Sequence, residues 1–211
     1  MTYSVRFVLA LGVLGIAAQP VADAHFKLIE PAPWIVEDDR GDPQKAGPCG
    51  GSNSDWGTAS NIVTEAVGGG TLHLKMHETI YHPGHYRVAL AVNSPTELPT
   101  DPETKTRPSD RGPWSVSAMI EGPPQIPVLA DGLFQHYTRP TEGRGRSLPE
   151  PWETDIQLPN INCEKCTLQV IQWMAEHAYM NPGGYSYHHC AHIRITADPS
   201  KPLDEGWPAE R

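Results

Sequence analysis

Thr167-Leu168-Gln169-Val170-Ile171-Gln172-Trp173-Met174-Ala175 is the stretch that decides the fold: it is the strongest strand signal in the chain. Cys163-Glu164-Lys165-Cys166 stands directly before it. A redox Cys-x-x-Cys pair opens a helix whose N-terminus stabilises the thiolate, whereas here a β alternation follows. A zinc site needs a second close pair, and Cys49 and Cys190 are isolated. That leaves a local disulfide at the mouth of a strand. Four cysteines permit three connectivities, and the preferred one is Cys163–Cys166 with Cys49–Cys190, the second tying an early loop to the last strand.

Working outward, the same period-two pattern recurs. Thr71 to His77 alternates, with Leu72, Leu74 and Met76 facing in and His73, Lys75 and His77 facing out. After the turn Tyr81-His82-Pro83-Gly84, His85 to Val92 alternates again. Tyr86, Val88, Leu90 and Val92 form one face, and His85, Arg87, Ala89 and Ala91 the other, read as outward. His25 to Trp34 reads as a short edge strand running into a Pro-Ala-Pro-Trp turn, and His189 to Thr196 as the last strand. Trp114 to Ile120, Ile126 to Ala130 and Thr154 to Leu158 are further strand candidates. Residues 37–61 lack a sustained period, 94–113 is a Pro-punctuated surface loop, and 139–151 is a locally basic loop. No amphipathic helix and no internal repeat is found. Six to eight short strands with turn signals between them predict an all-β, antiparallel β-sandwich with long loops.

Bulk composition narrows the function classes. The chain has 211 residues and a formal charge of −9, which disfavours nucleic acid and anionic membrane surfaces as partners. Residues 1–24 have the form of a secretory signal peptide, with Arg6 in the n-region, an apolar run from Phe7 to Ala18, and Ala22-Asp23-Ala24 as the cleavage site. No second apolar stretch is long enough to span a bilayer, so no membrane insertion is expected after cleavage. The expected organisation is a leader at 1–24, one domain at 25–197 and a flexible tail at 198–211, in a secreted or periplasmic monomer. Four cysteines suit such an oxidising compartment.

Cleavage after Ala24 makes His25 the first residue of the mature chain. A histidine there offers two nitrogen donors, its α-amine and its ring. The amine has an ordinary pKa of about 8, within reach of displacement by a metal near neutral pH. One more imidazole completes a three-nitrogen, T-shaped set of the kind that suits Cu(II). Hydrolytic chemistry is disfavoured, because there is no Gly-x-Ser-x-Gly and no paired carboxylates on an obvious scaffold.

Four stretches then converge: His25; His82-Pro83-Gly84-His85-Tyr86; Cys163-Glu164-Lys165-Cys166 with the strand after it; and Tyr185-Ser186-Tyr187-His188-His189-Cys190-Ala191-His192-Ile193. In this order they resemble the lytic polysaccharide monooxygenases and their chitin-binding type-4 relatives, as scattered motifs across most of the mature chain. The resemblance implies an immunoglobulin-like or fibronectin III-like sandwich carrying one copper ion in a histidine brace. It also implies oxidative cleavage of glycosidic bonds in chitin, cellulose or a related insoluble polysaccharide, with an external electron donor. Matched residue by residue, His25 and His82 hold the metal, with His85 the competitor for the second place, and Tyr187 takes the axial position. Trp34 and Trp56 are candidates for a substrate-binding face. The chain departs from the family where Cys190-Ala191-His192 replaces a Cys-Ala-Asp ending, and where Tyr185 replaces a Gln found in one branch. His188, His189 and His192 read as strand residues on two faces in preference to a second metal site. The alternative function is a non-catalytic copper-binding carrier on the same fold.

Overall fold

In the computed structural model of this protein, residues 25–137 and 151–209 are described. The leader expected at 1–24, and all but the last residue of the basic loop expected at 139–151, lie outside the described residues. Ten strands are formed among them: β1 (His25–Glu30), β2 (Val63–Val67), β3 (Thr71–Ile80), β4 (Gly84–Ala91), β5 (Thr104–Arg107), β6 (Trp114–Ala118), β7 (Val128–His136), β8 (Trp152–Gln157), β9 (Cys163–Met174) and β10 (Ser186–Thr196). Among the described residues the one helical element is a 3-10 turn at Pro95–Glu97, capped by the Ser94 side chain. The expected all-β class is the observed one.

Two sheets face each other. One has the order β1-β3-β8, the other β2-β10-β9-β4-β7, and β5-β6 form a separate ribbon. Alternation sends Phe26, Leu28, Leu74 and Met76 from the smaller sheet against Tyr86, Val88, Leu168, Val170, Met174, Tyr187 and Ile193 from the larger, all in one buried core. Two disulfides are present, Cys49–Cys190 and Cys163–Cys166. The second lies in the opening residues of β9, so strand backbone follows it directly.

Four differences from the sequence reading have physical causes. First, β4 has no outward face open to water: all eight of its residues are buried, His85 completely. It is an interior strand of the larger sheet, and the 94–113 segment covers its second side, where Arg87 Nη2 donates to Thr100 O at 2.8 Å. Second, that segment is more than a loop, since β5 arises within it and pairs with β6. Third, β2 has no expected counterpart, and its pairing with β10 is parallel in an otherwise antiparallel arrangement. Its Val-Thr-Glu-Ala-Val is too short and too polar to announce itself by period.

Fourth, residues 198–209 are clasped to the domain where a flexible tail was expected. Asn160 Nδ2 donates to the carbonyls of Asp198, Lys201 and Pro202, its Oδ1 accepts from Asp198 N, and its own N–H reaches Asp204 Oδ2 at 2.8 Å. Trp207 packs on the core beyond it. Asn160→Ala removes the four hydrogen bonds of the side-chain amide at once and leaves only the backbone bond to Asp204. It is expected to lower unfolding free energy by about 2–4 kcal/mol, read as a shifted urea midpoint with unchanged slope.

Candidate metal centre

The strand register assembles one end of the sandwich. β1 runs antiparallel to β3, with His25 opposite Ile80, so the turn that continues from Ile80 into Tyr81-His82-Pro83 emerges beside His25. Gly84 then starts β4 opposite Met174, so close that a Cβ on it would lie 1.9 Å from Trp173 O. Only glycine permits this approach, and it fixes where His82 leaves the sheet. β10 brings Tyr187 into the core below, with its ring centroid 5.2 Å from that of His25.

His25 is 1% exposed, and its Nε2 lies 3.1 Å from Asp42 Oδ2. Asp42 also takes Arg40 Nη2 at 3.0 Å. Burial pushes the Asp42 carboxyl upward, but its hydrogen bond to His25 and the charges of His25, Arg40 and Lys45 outweigh that, and its pKa lies below the ordinary value. His82 Nδ1 sits 3.2 Å from Pro83 O, and the His177 ring stands edge-on to His82 with centroids 4.9 Å apart. The backbone of His82 is held as well, its carbonyl 2.7 Å from His136 Nε2.

Behind these rings lies a buried polar network that sequence reading did not find. Glu78 is fully buried and is hydrogen-bonded by Gln172 Nε2 and, at 3.0 Å, by His136 Nε2. Burial opposes charge on His136, but the Glu78 contact and the Phe134 and His82 carbonyls dominate and raise its pKa. A signal for Glu78 did exist. The inward series Leu72, Leu74, Met76 continues two residues on to Glu78, and Leu168, Val170 continues to Gln172. A carboxylate or amide extending an apolar face is a buried polar group that needs partners. Asp42 and His177 sit in aperiodic segments and gave no such signal.

The other candidates lie elsewhere. His85 stacks on Trp173 away from the core, its Nε2 3.8 Å from Asp131 Oδ1. Burial, opposed by Asp131 and reinforced by Arg87 and His136, lowers its pKa. A histidine that resists protonation only when folded contributes stability that is full above pH 6.5 and declines as pH falls from there toward the folded value. His85→Gln is expected to flatten that acid limb in urea midpoints measured from pH 7.5 down to 5. Trp34 is half-buried, donates from Nε1 to Cys49 O at 3.1 Å and meets His192 edge-on. Trp56, by contrast, is 70% exposed. The C-terminal histidines divide between the two faces of β10. His189 turns inward to Glu37 and Phe26 O, while His188 reaches Asp101 and His192 meets Trp34 on the other side.

Among the described residues, no three His, Cys, Asp or Glu side chains gather as a metal cage. No family model matches the sequence, and no curated protein matches it. Among solved structures, the chain is similar to a lytic polysaccharide monooxygenase AA15 from Thermobia domestica in the Cu(I) state. Identity is 16% and the TM-score 0.45, over 82% of this chain and 99% of that one. At that distance, any chemistry must be argued from this chain's own residues.

Proposed function

We propose that removal of the leader exposes His25 as the first residue of a secreted or periplasmic, copper-dependent polysaccharide monooxygenase. The observation that carries this reading is the donor chemistry at one end of the sandwich. With Asp42 engaging Nε2 of His25, the nitrogens that would hold copper are Nδ1 and the α-amine of the same residue. With the Pro83 carbonyl beside Nδ1 of His82, Nε2 is the nitrogen that would join them. Two imidazoles and an amine form the nitrogen-rich set that Cu(II) favours.

When bound, copper supplies one-electron and oxygen chemistry that no side chain of this chain provides. The protein's own part is to hold and shield. Asp42 fixes the tautomer and rotation of the His25 ring. His136 and Pro83 hold the turn that carries His82. Tyr187, fully buried against His25, would close the core side of the site to water. The substrate is an insoluble polysaccharide such as chitin or cellulose, and an external donor supplies electrons.

Asp42→Asn is expected to lower Cu(II) affinity about 10–100-fold, in line with loss of a charged partner behind a ligating imidazole, as measured by chelator competition. The function itself is tested by mass spectrometry of chitin and cellulose incubated with copper-loaded protein and ascorbate. Oxidised oligosaccharides are expected. Their absence across substrates, with tight copper retention, would establish the carrier reading in place of the enzyme.

A further inference from the structure

β1 is the outer strand of the smaller sheet, so among the described residues one of its edges has no neighbouring strand to bond. Phe26 and Leu28 are nevertheless buried, and a buried backbone N–H or C=O left without a partner is costly. Three side chains stand in for the missing strand. Gln44 Oε1 accepts from Phe26 N at 3.2 Å, His189 Nε2 donates to Phe26 O at 3.0 Å, and Glu37 Oε1 accepts from Leu28 N at 3.3 Å. Glu37 Oε1 also lies 3.0 Å from His189 Nδ1, which joins two of the three to each other.

The grip is itself anchored. Gln44 and His189 are fully buried, and the Glu37 side chain nearly so. Gln44 O accepts from His188 N at 2.8 Å, and Gln44 Nε2 reaches Arg40 O at 3.4 Å. Gly41, at φ +99°, lies so near β1 that a Cβ on it would be 1.9 Å from Phe26 O. Only glycine allows that seat. From it the segment brings Asp42 to the His25 ring and Gln44 to the N–H of the next residue.

An edge strand can leave such groups to water, so three converging polar side chains call for a reason beyond pairing. What they gain is position. With the leader removed, Phe26 is the second residue, and chain ends fray unless tied down. Holding the N–H of Phe26 fixes the peptide plane that joins it to His25, and holding its C=O fixes the plane after it. The direction in which His25 presents its amine is fixed with them.

We propose that Gln44, His189 and Glu37 are positioning residues for the α-amine of His25. By gripping β1 at Phe26 and Leu28 they set amine and ring in one arrangement before a metal arrives, so little ordering is left to oppose binding. The inference rests on the copper reading above.

Two measurements on the mature chain test it. In EDTA, amide hydrogen exchange is expected to show Phe26 N–H protected about 100-fold or more over an unstructured peptide, although it is the second residue. This reading of the parent needs no variant to fold. Gln44→Met keeps the length of the side chain and removes its amide, and is expected to lower that protection about tenfold or more. With one equivalent of Cu(II), the same variant is expected to bind about tenfold more weakly by chelator competition and to give overlapping EPR signals in place of one. His189→Gln keeps a donor toward Phe26 O and is expected to stay near the parent, whereas His189→Leu follows Gln44→Met. Asn160→Ala, which costs stability elsewhere in the domain, is expected to leave Phe26 protection and the Cu(II) spectrum unchanged. An unprotected Phe26 amide in the parent, or parent affinity and spectrum in Gln44→Met, overturns the positioning role while the parent's copper signal stands. A parent without a nitrogen-rich Cu(II) signal overturns the copper reading, and this inference with it.

Discussion

A variant that keeps one methionine ahead of His25 is expected to bind Cu(II) at least about a thousandfold more weakly than protein beginning at His25, equivalent to about 4 kcal/mol. The extra residue turns the α-amine into a peptide nitrogen. An amine with a pKa near 8 yields its proton to copper at neutral pH, whereas a peptide nitrogen becomes a donor only after losing a proton that it holds far more tightly. The chelate ring opens, leaving two imidazoles. The other contacts of the site stay in place: Asp42 beside Nε2 of His25, Pro83 O beside His82, and Tyr187 under the His25 ring. Chelator competition measures the affinity. EPR supplies the independent sign, a nitrogen-rich axial Cu(II) signal in the authentic protein that the extended variant lacks. Equal affinity in the two proteins would remove the amine from the ligand set, and the monooxygenase proposal with it.

The second large effect concerns stability. Replacing Cys49 and Cys190 together by alanine is expected to cost about 3–5 kcal/mol and to lower Tm by about 10 °C or more. The bond joins residues 141 apart, so it removes a large loop from the unfolded chain's freedom. It also anchors the segment that carries Asp42 and Gln44. Gln44 Oε1 accepts from Phe26 N and Gln44 O from His188 N, so this segment buttresses both β1 and β10. The same change is therefore expected to weaken copper binding, through Asp42. The Cys163–Cys166 pair closes a separation of only 3, and its removal is expected to cost about 2 kcal/mol or less. Paired thermal melts of the two double variants decide the contrast.

The sandwich was legible because its interior strands carry their burial in their sequence. Leu72, Leu74 and Met76, and Tyr86, Val88 and Leu90, point to one core at a period of two. His85 was misjudged for a physical reason. Alternation reports which residues share a face, and it does not report whether a loop such as 94–113 later covers the other face. The parallel partner β2 escaped because a five-residue edge strand of mixed polarity has no period to display. Around the candidate centre, the cleavage site after Ala24 points to His25, and the family resemblance to His82 and Tyr187. Asp42 and His177 could not be named, because they come from aperiodic segments whose places are set by tertiary contacts. Glu78 lay between these cases, on a visible face but with the wrong polarity for a core.

The Asn160 clasp has one more consequence. β3 runs from Thr71, opposite Gln157 near the clasp, to Ile80, opposite His25, so the clasped segment around Pro202 and the candidate centre lie toward opposite ends of that strand. A reporter or targeting module joined beyond the clasp would be carried away from the candidate centre and leave that end of the sandwich uncovered. Appended after residue 197 instead, it would sever the strap that holds Trp207 against the interior. The usable junction for such fusions lies past residue 209.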